Sequence, residues 1–180
     1  MVEKLNSGQP ITISAIGGSI THGHGAGSAS QPLHGDPNLL HGHPGSWSRI
    51  VFDYVQGAWP NAKHTYSNGA VPATGSDFFS LCVERQVPQS ADIVFMEFSV
   101  NDAGGMNSQV LQQQEMIVRR LRSILPNASL VFVNFWTHFP VDNAWEPEWF
   151  ASPEVQTTAL AQYYVLYKYR GISFNYRAQL

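Results

Sequence analysis

One cysteine, Cys82, in 180 residues rules out an internal disulfide. A lone thiol fits a reducing compartment without establishing one. No apolar run approaches the ~20 residues needed to cross a bilayer. The start "MVEKLNSGQP" has neither the basic opening nor the apolar core of a signal peptide, so the chain reads as soluble and untargeted. Charge is also scarce: charged residues make up 13%, the formal net charge is −3, and no basic cluster occurs. A phosphate backbone finds no footprint here, and the aromatic residues are not interleaved with lysine and arginine, which argues against nucleic acid as a partner. Internal repeats and linker-like tracts are missing too. What remains is 43% hydrophobic, enough for one packed domain rather than a disordered chain.

Hydrophobic periodicity sets out the elements. "ITISAI" (11–16) reads as a short buried strand ending at Gly17-Gly18, followed by a loop rich in glycine and histidine to about Gly45. "SWSRIVFDYVQGAW" predicts a helix with Trp47, Ile50, Val51, Tyr54 and Val55 on one face, capped by Ser46 and ended before Pro60. "KHTYSNG" is a second strand and "SDFFSLCVERQ" a helix stopped before Pro88. "ADIVFMEF" is continuous and apolar, as a strand covered on both faces should be. "SQVLQQQEMIVRRLRSIL" predicts a long amphipathic helix with Val110, Leu111, Ile117, Leu121 and Leu125 buried. "SLVFVNF" is a fourth strand, "PEVQTTALAQYYVLYKYR" a helix, and "GISFNY" a fifth strand. Strand and helix alternate, and parallel strands need crossover connections. The expected fold is a three-layer α/β/α domain on a flavodoxin-like, doubly wound parallel sheet of about five strands.

In such sheets ligands sit at the carboxyl ends of the strands. Ser19 follows the first strand, "NGAVPATGS" (68–76) the second, and Asn101-Asp102 the third. If the topology holds, the three segments meet at one edge. A serine hydroxyl there could attack a carbonyl, given a base and an oxyanion site. The Asn101 amide and backbone N–H groups of the two glycine-rich turns can donate to an oxyanion. Serine and glycine also crowd ordinary turns, so the spacing alone leaves both readings open.

The combination resembles the SGNH hydrolase superfamily, the GDSL-type esterases and lipases. "IGGSIT" is similar to its first block, "NGAVPATGS" to its second and "EFSVND" to its third, the Gly-x-Asn-Asp segment. The likeness implies Ser19 as nucleophile, with its own N–H helping to hold the oxyanion, and Asn101 as side-chain oxyanion donor. The second-block donor, usually a glycine five positions after the asparagine, falls on Ala73, whose N–H alanine retains. Gly18 stands where the commoner motif has aspartate, and Ser99 where the third block has glycine. Neither change removes a catalytic atom. The family needs no metal or organic cofactor. It implies acyl or acetyl esters of carbohydrate or lipid as substrates, split through an acyl-serine intermediate.

The family's fourth block, Asp-x-x-His after the last strand, has no counterpart. None of the histidines at 22, 24, 34, 41, 43, 64 and 138 has aspartate three residues before it. The expectation is a single domain over 1–180 that lacks its C-terminal catalytic loop and final helix, with hydrolysis impaired for want of the imidazole. Two alternatives stand beside it: His22 or His24 serving as base, and a non-catalytic carbohydrate-binding module using the same pocket. The histidines between 22 and 43 match no standard zinc spacing, so no metal is expected. Trp136, Trp145 and Trp149 occupy the loop after the fourth strand, where they either stack on substrate or simply cover the core. Asp102 suits a structural hydrogen bond orienting the Asn101 loop, and Glu97, set in an apolar strand, demands a partner.

Overall fold

The protein is described by a computed structural model covering residues 1–26, 43–102, 108–135, 165, 168–169 and 171–175. Its elements are α1 (Val2–Asn6), β1 (Thr12–Gly17), α2 (Ser19–His22), α3 (Trp47–Ala58), β2 (Thr65–Asn68), α4 (Ser76–Cys82), β3 (Ile93–Glu97), α5 (Ser108–Ile124), β4 (Ser129–Asn134) and β5 (Ile172–Asn175). A 3-10 turn, Val83–Arg85, extends α4. The strands form one parallel sheet in the order β2-β1-β3-β4-β5. This is the flavodoxin-like order anticipated from the alternation of strand and helix.

Side chains alternate across a strand, and both faces of this sheet are covered. On one face Val94, Met96 and Phe98 of the third strand and its extension pack with Leu130 and Phe132, under Phe79, Val83, Ile117, Val118 and Leu121. On the other, Ile13, Ile93, Val131 and Val133 pack with Leu5 and Phe52, bordered by Trp47, Val55 and Tyr66. Burying each such side chain is worth about 1.5–3 kcal/mol. The three-layer α/β/α reading is therefore correct.

Two helices bury different residues from those expected. In α3, Ile50 and Tyr54 are 60% and 75% exposed, while Ser48 and Phe52 are buried. The inward stripe is Ser48, Phe52 and Val55; Ile50 and Tyr54 each come two positions after a buried residue, Ser48 and Phe52, about 200° around the helix. Ser46 caps this helix as expected, its hydroxyl accepting from the Arg49 N–H at 3.4 Å. Of the stripe expected in α5, Ile117 and Leu121 are buried, as is Leu125 just past its end, while Val110 and Leu111 are only half-buried; Gln114, a polar residue the apolar stripe passed over, is buried as well. The helices α1 and α2 were not foreseen. Both are too short for a periodic signal.

Register fixes where the chain leaves the sheet. Ala15 lies beside Asn68 on one side and Phe95 on the other, and Gly17 pairs with Glu97. The carboxyl ends of β1, β2 and β3 therefore fall side by side. Past the strands, the Gly69 N–H bonds Ala15 O and the Val71 N–H bonds Gly17 O, both at 2.9 Å, so the segment after β2 runs along the end of β1.

Candidate active site

Gly17 and Gly18 turn the chain from β1 into α2, and neither position has room for a side chain. A Cβ at residue 17 would strike the Glu97 carbonyl oxygen and lie 2.6 Å from Thr21 Oγ1. One at residue 18 would strike Asn101 Oδ1, 3.0 Å from Asn101 Cγ and 3.1 Å from the Thr74 carbonyl oxygen. Asn101 and the Thr74 backbone thus rest directly on the backbone that precedes Ser19. The three segments singled out in the sequence meet at this point.

Ser19 is the first residue of α2 and is half-buried. Asn101 follows β3 in a tight turn, where the Asn101 and Asp102 N–H groups both bond Phe98 O at 3.1 and 2.8 Å. Ala73 has φ +61, the only positive φ at a non-glycine among the described residues. The backbone at this position therefore takes the left-handed conformation glycine favours, although the sequence supplies alanine.

Two side chains outside the candidate catalytic set hold the segments together. Asn68 is buried; its Nδ2 donates to the Thr21 carbonyl at 2.8 Å and its Oδ1 accepts from the Ala70 N–H at 3.0 Å. It ties α2 to the segment after β2. Glu97 is fully buried, and burial pushes its carboxyl above its ordinary value despite bonds from Ser99, Val100 and Thr21. The demand for a partner was visible in the sequence, but the partners were not. Ser99, at the position of the family's glycine, is one of them.

Asp102 takes the structural role expected of it. Its Oδ1 accepts from the Ser76 N–H at the start of α4, and its Oδ2 accepts from Gln114 Nε2, both at 2.9 Å. Burial raises its carboxyl above the ordinary range, against the pull of those two bonds. The buried Gln114 of α5 is thereby explained, and Gly75 leaves the space that Asp102 Oδ1 fills.

Of the histidines, His22 and His24 stack edge to face with ring centroids 5.5 Å apart, and the His43 N–H bonds His22 O at 2.8 Å. Burial, then the neighbouring His24 and His43, hold His22 below its ordinary 6.5. His64 lies at the opposite edge of the sheet, its Nδ1 accepting from the Ile11 N–H at 3.1 Å and its Nε2 3.2 Å from Trp59 O. Among the described residues no group of three or more His, Cys, Asp or Glu is placed to hold a metal. Nor is any helix there long and apolar enough to cross a membrane. Trp136, Trp145 and Trp149 lie outside the described residues, as do His34, His41 and His138.

Comparison with known proteins points the same way as the geometry. Several solved structures share the fold. A two-domain esterase active on acetylated mannans aligns with a TM-score of 0.68 at 21% identity, over 97% of this chain and 39% of its own. An acetylxylan esterase from Geobacillus stearothermophilus, solved as a catalytic mutant, gives 0.64 at 14% identity, over 91% of this chain and 74% of its own. An extracellular lipase from Streptomyces rimosus gives 0.59 at 11% identity, over 92% and 80%. The chain therefore spans about two fifths of the length of the mannan esterase. A search of curated proteins found no match. The model of the GDSL-like lipase/acylhydrolase family matches residues 15–165, from β1 through all three segments that meet at Gly18. On that match, the chain belongs to the GDSL-like lipase/acylhydrolase family.

Proposed function

We propose that the protein is a serine ester hydrolase working through an acyl-serine intermediate at Ser19. One observation carries the reading: Asn101 and the Thr74 backbone pack on Gly18, next to Ser19. Ser19 Oγ attacks the ester carbonyl carbon as its proton passes to a base. The Asn101 side-chain amide and the backbone N–H groups of Ser19 and Ala73 donate to the oxyanion that forms. Such donors act on charge that develops only in the transition state, and each is worth roughly 10²–10³ in rate. The alcohol leaves with a proton, and water then releases the acid and restores Ser19.

The proton acceptor is an imidazole of the family's Asp-x-x-His type. These 180 residues contain no such segment, so the reading takes the base from outside them and expects the chain alone to be impaired. Acetylated carbohydrate is the proposed substrate class. In its support, two fold relatives are esterases of acetylated mannan and of acetylxylan, and the first was crystallised with mannopentaose.

The missing Asp-x-x-His also favours a second reading, a non-catalytic carbohydrate-binding domain. Labelling by a fluorophosphonate and hydrolysis of p-nitrophenyl acetate separate the two. Both are measured on this chain and on a version extended through the adjoining coding sequence. The esterase reading expects labelling at Ser19 and turnover in the extended protein, both abolished in Ser19→Ala. Absence of both in the extended protein, with mannan oligosaccharide bound unchanged, would overturn it in favour of the second.

A further inference from the structure

Glu97 ends β3 on the face shared by Ile93 and Phe95, and it is fully buried. Among the described residues no cation pairs with it. A buried carboxyl without a cation is costly, and an apolar residue of similar size would serve stability better. What the carboxyl has instead is a set of donors. Oε2 accepts from Thr21 Oγ1 at 3.3 Å. Oε1 accepts from Ser99 Oγ at 2.7 Å and from the Val100 N–H at 3.3 Å.

The direction of these bonds is fixed from behind. Thr21 Oγ1 accepts from the Trp47 indole N–H at 3.3 Å, which turns its own hydrogen toward Glu97. Ser99 Oγ accepts from the Phe135 N–H at 3.1 Å, and its single hydrogen goes to the shorter contact, Glu97 Oε1. Three donors therefore converge on two oxygens, an arrangement that a carboxylate satisfies and an amide does not. Thr21 stands two residues after Ser19 in the same helical turn. Ser99 and Val100 immediately precede Asn101.

We propose that Glu97 is a positioning residue, whose carboxylate is the common acceptor that fixes the Ser19 turn against the Asn101 loop. The assignment rests on the roles proposed above for Ser19 and Asn101. Glu97 touches no reacting atom. It acts through Thr21 on one side and through Ser99 and Val100 on the other. This also explains why serine replaces the family's glycine at 99: the hydroxyl joins the carboxylate to the end of β4 through Phe135. A misplacement of about 1 Å in a catalytic group costs on the order of 10²-fold in rate, and this clamp spans the two groups whose separation matters.

The test compares Glu97→Gln, Thr21→Val and Thr21→Ser in the full protein, with p-nitrophenyl acetate kinetics and 15N–1H spectra. Gln keeps the volume but points an amide N–H₂ at a donor. The expected result is a fall in kcat of about 10- to 100-fold with KM changed by less than about threefold, since ground-state binding is untouched. Thr21→Val should share the loss, and Thr21→Ser, which keeps the hydroxyl, should restore it. The Ser19 backbone amide and Asn101 side-chain amide signals should shift in Glu97→Gln and Thr21→Val but not in Thr21→Ser. A folded Glu97→Gln with wild-type kcat and unmoved Ser19 and Asn101 signals would overturn the proposal. Should that variant not fold, the Thr21→Val and Thr21→Ser pair decides by the same measurements. If Ser19→Ala leaves hydrolysis intact, the functional reading fails while the amide signals still decide whether Glu97 clamps the two segments.

Discussion

Gly18→Ala probes the contact on which the site reading depends. A Cβ at residue 18 would lie 3.0 Å from Asn101 Cγ and 3.1 Å from the Thr74 carbonyl oxygen. Ordinary non-bonded separations are about 3.5–4.0 Å, so the neighbours must retreat by roughly 0.5–1 Å. Thr74 cannot give easily, because it follows Ala73, whose backbone is already left-handed at φ +61. The displacement therefore falls on Asn101. With Asn101 in its proposed role as oxyanion donor, moving it by about 1 Å is expected to cost on the order of 10²-fold in kcat/KM, or about 2.7 kcal/mol of activation free energy. Overpacking costs about 1–3 kcal/mol of stability, which lowers Tm by about 2–12 °C in a chain of this length and leaves it folded at 25 °C. The assay is hydrolysis of p-nitrophenyl acetate by the version extended through the adjoining coding sequence, beside a thermal melt, in a cycle with Asn101→Ala. Removing the amide deletes the atoms that the added methyl group would strike, so the two losses should combine to much less than their sum. Full additivity, or an unchanged kcat/KM in folded Gly18→Ala, would refute the reasoning. Gly18→Asp, which places the commoner family residue there, should lose at least as much activity as Gly18→Ala.

Ala73→Gly should stabilise the protein by about 0.5–1 kcal/mol in urea unfolding, because relief of about 1–2 kcal/mol of left-handed strain exceeds the 0.4–1 kcal/mol gained by the more flexible unfolded chain; a loss of stability would contradict the positive φ. Asp102→Asn must turn an N–H₂ toward either Ser76 N or Gln114 Nε2, and should cost about 1.5–3 kcal/mol at pH 7 with a corresponding drop in Tm. Glu97 has its folded carboxyl raised above the ordinary 4.5, so the native state binds more protons than the unfolded one between those two values. Its contribution to stability is present below that window and is lost as pH rises through it. In urea unfolding at stepped pH, Glu97→Gln should flatten that decline, and equal slopes would count against a buried ionisable Glu97.

Much of this protein was legible in its sequence because the signals are local. "ADIVFMEF" reads as a doubly covered strand from its own composition, and alternation with helices leaves few ways to order a parallel sheet. Once Ser19, "NGAVPATGS" and Asn101 are known to follow β1, β2 and β3, the topology brings them to one edge. Other features needed contacts that local patterns do not encode. The inward face of α3 follows from where Phe52 meets the sheet, not from its count of apolar residues. Gln114 reads as an interruption of an apolar stripe until Asp102 is brought beside it.

The sequence by itself determined the alternation of strand and helix, and with it the layered class, and it set the three segments directly after β1, β2 and β3, since each follows from local patterning. Only the tertiary structure decided that Asn101 rests on Gly18, that Ala73 stands in a glycine's conformation, and that Glu97 gathers Thr21, Ser99 and Val100 onto one carboxylate. Thr21 and Glu97 are 76 positions apart. A hydrogen bond across that separation depends on the register of β1 against β3, which no short stretch of residues carries.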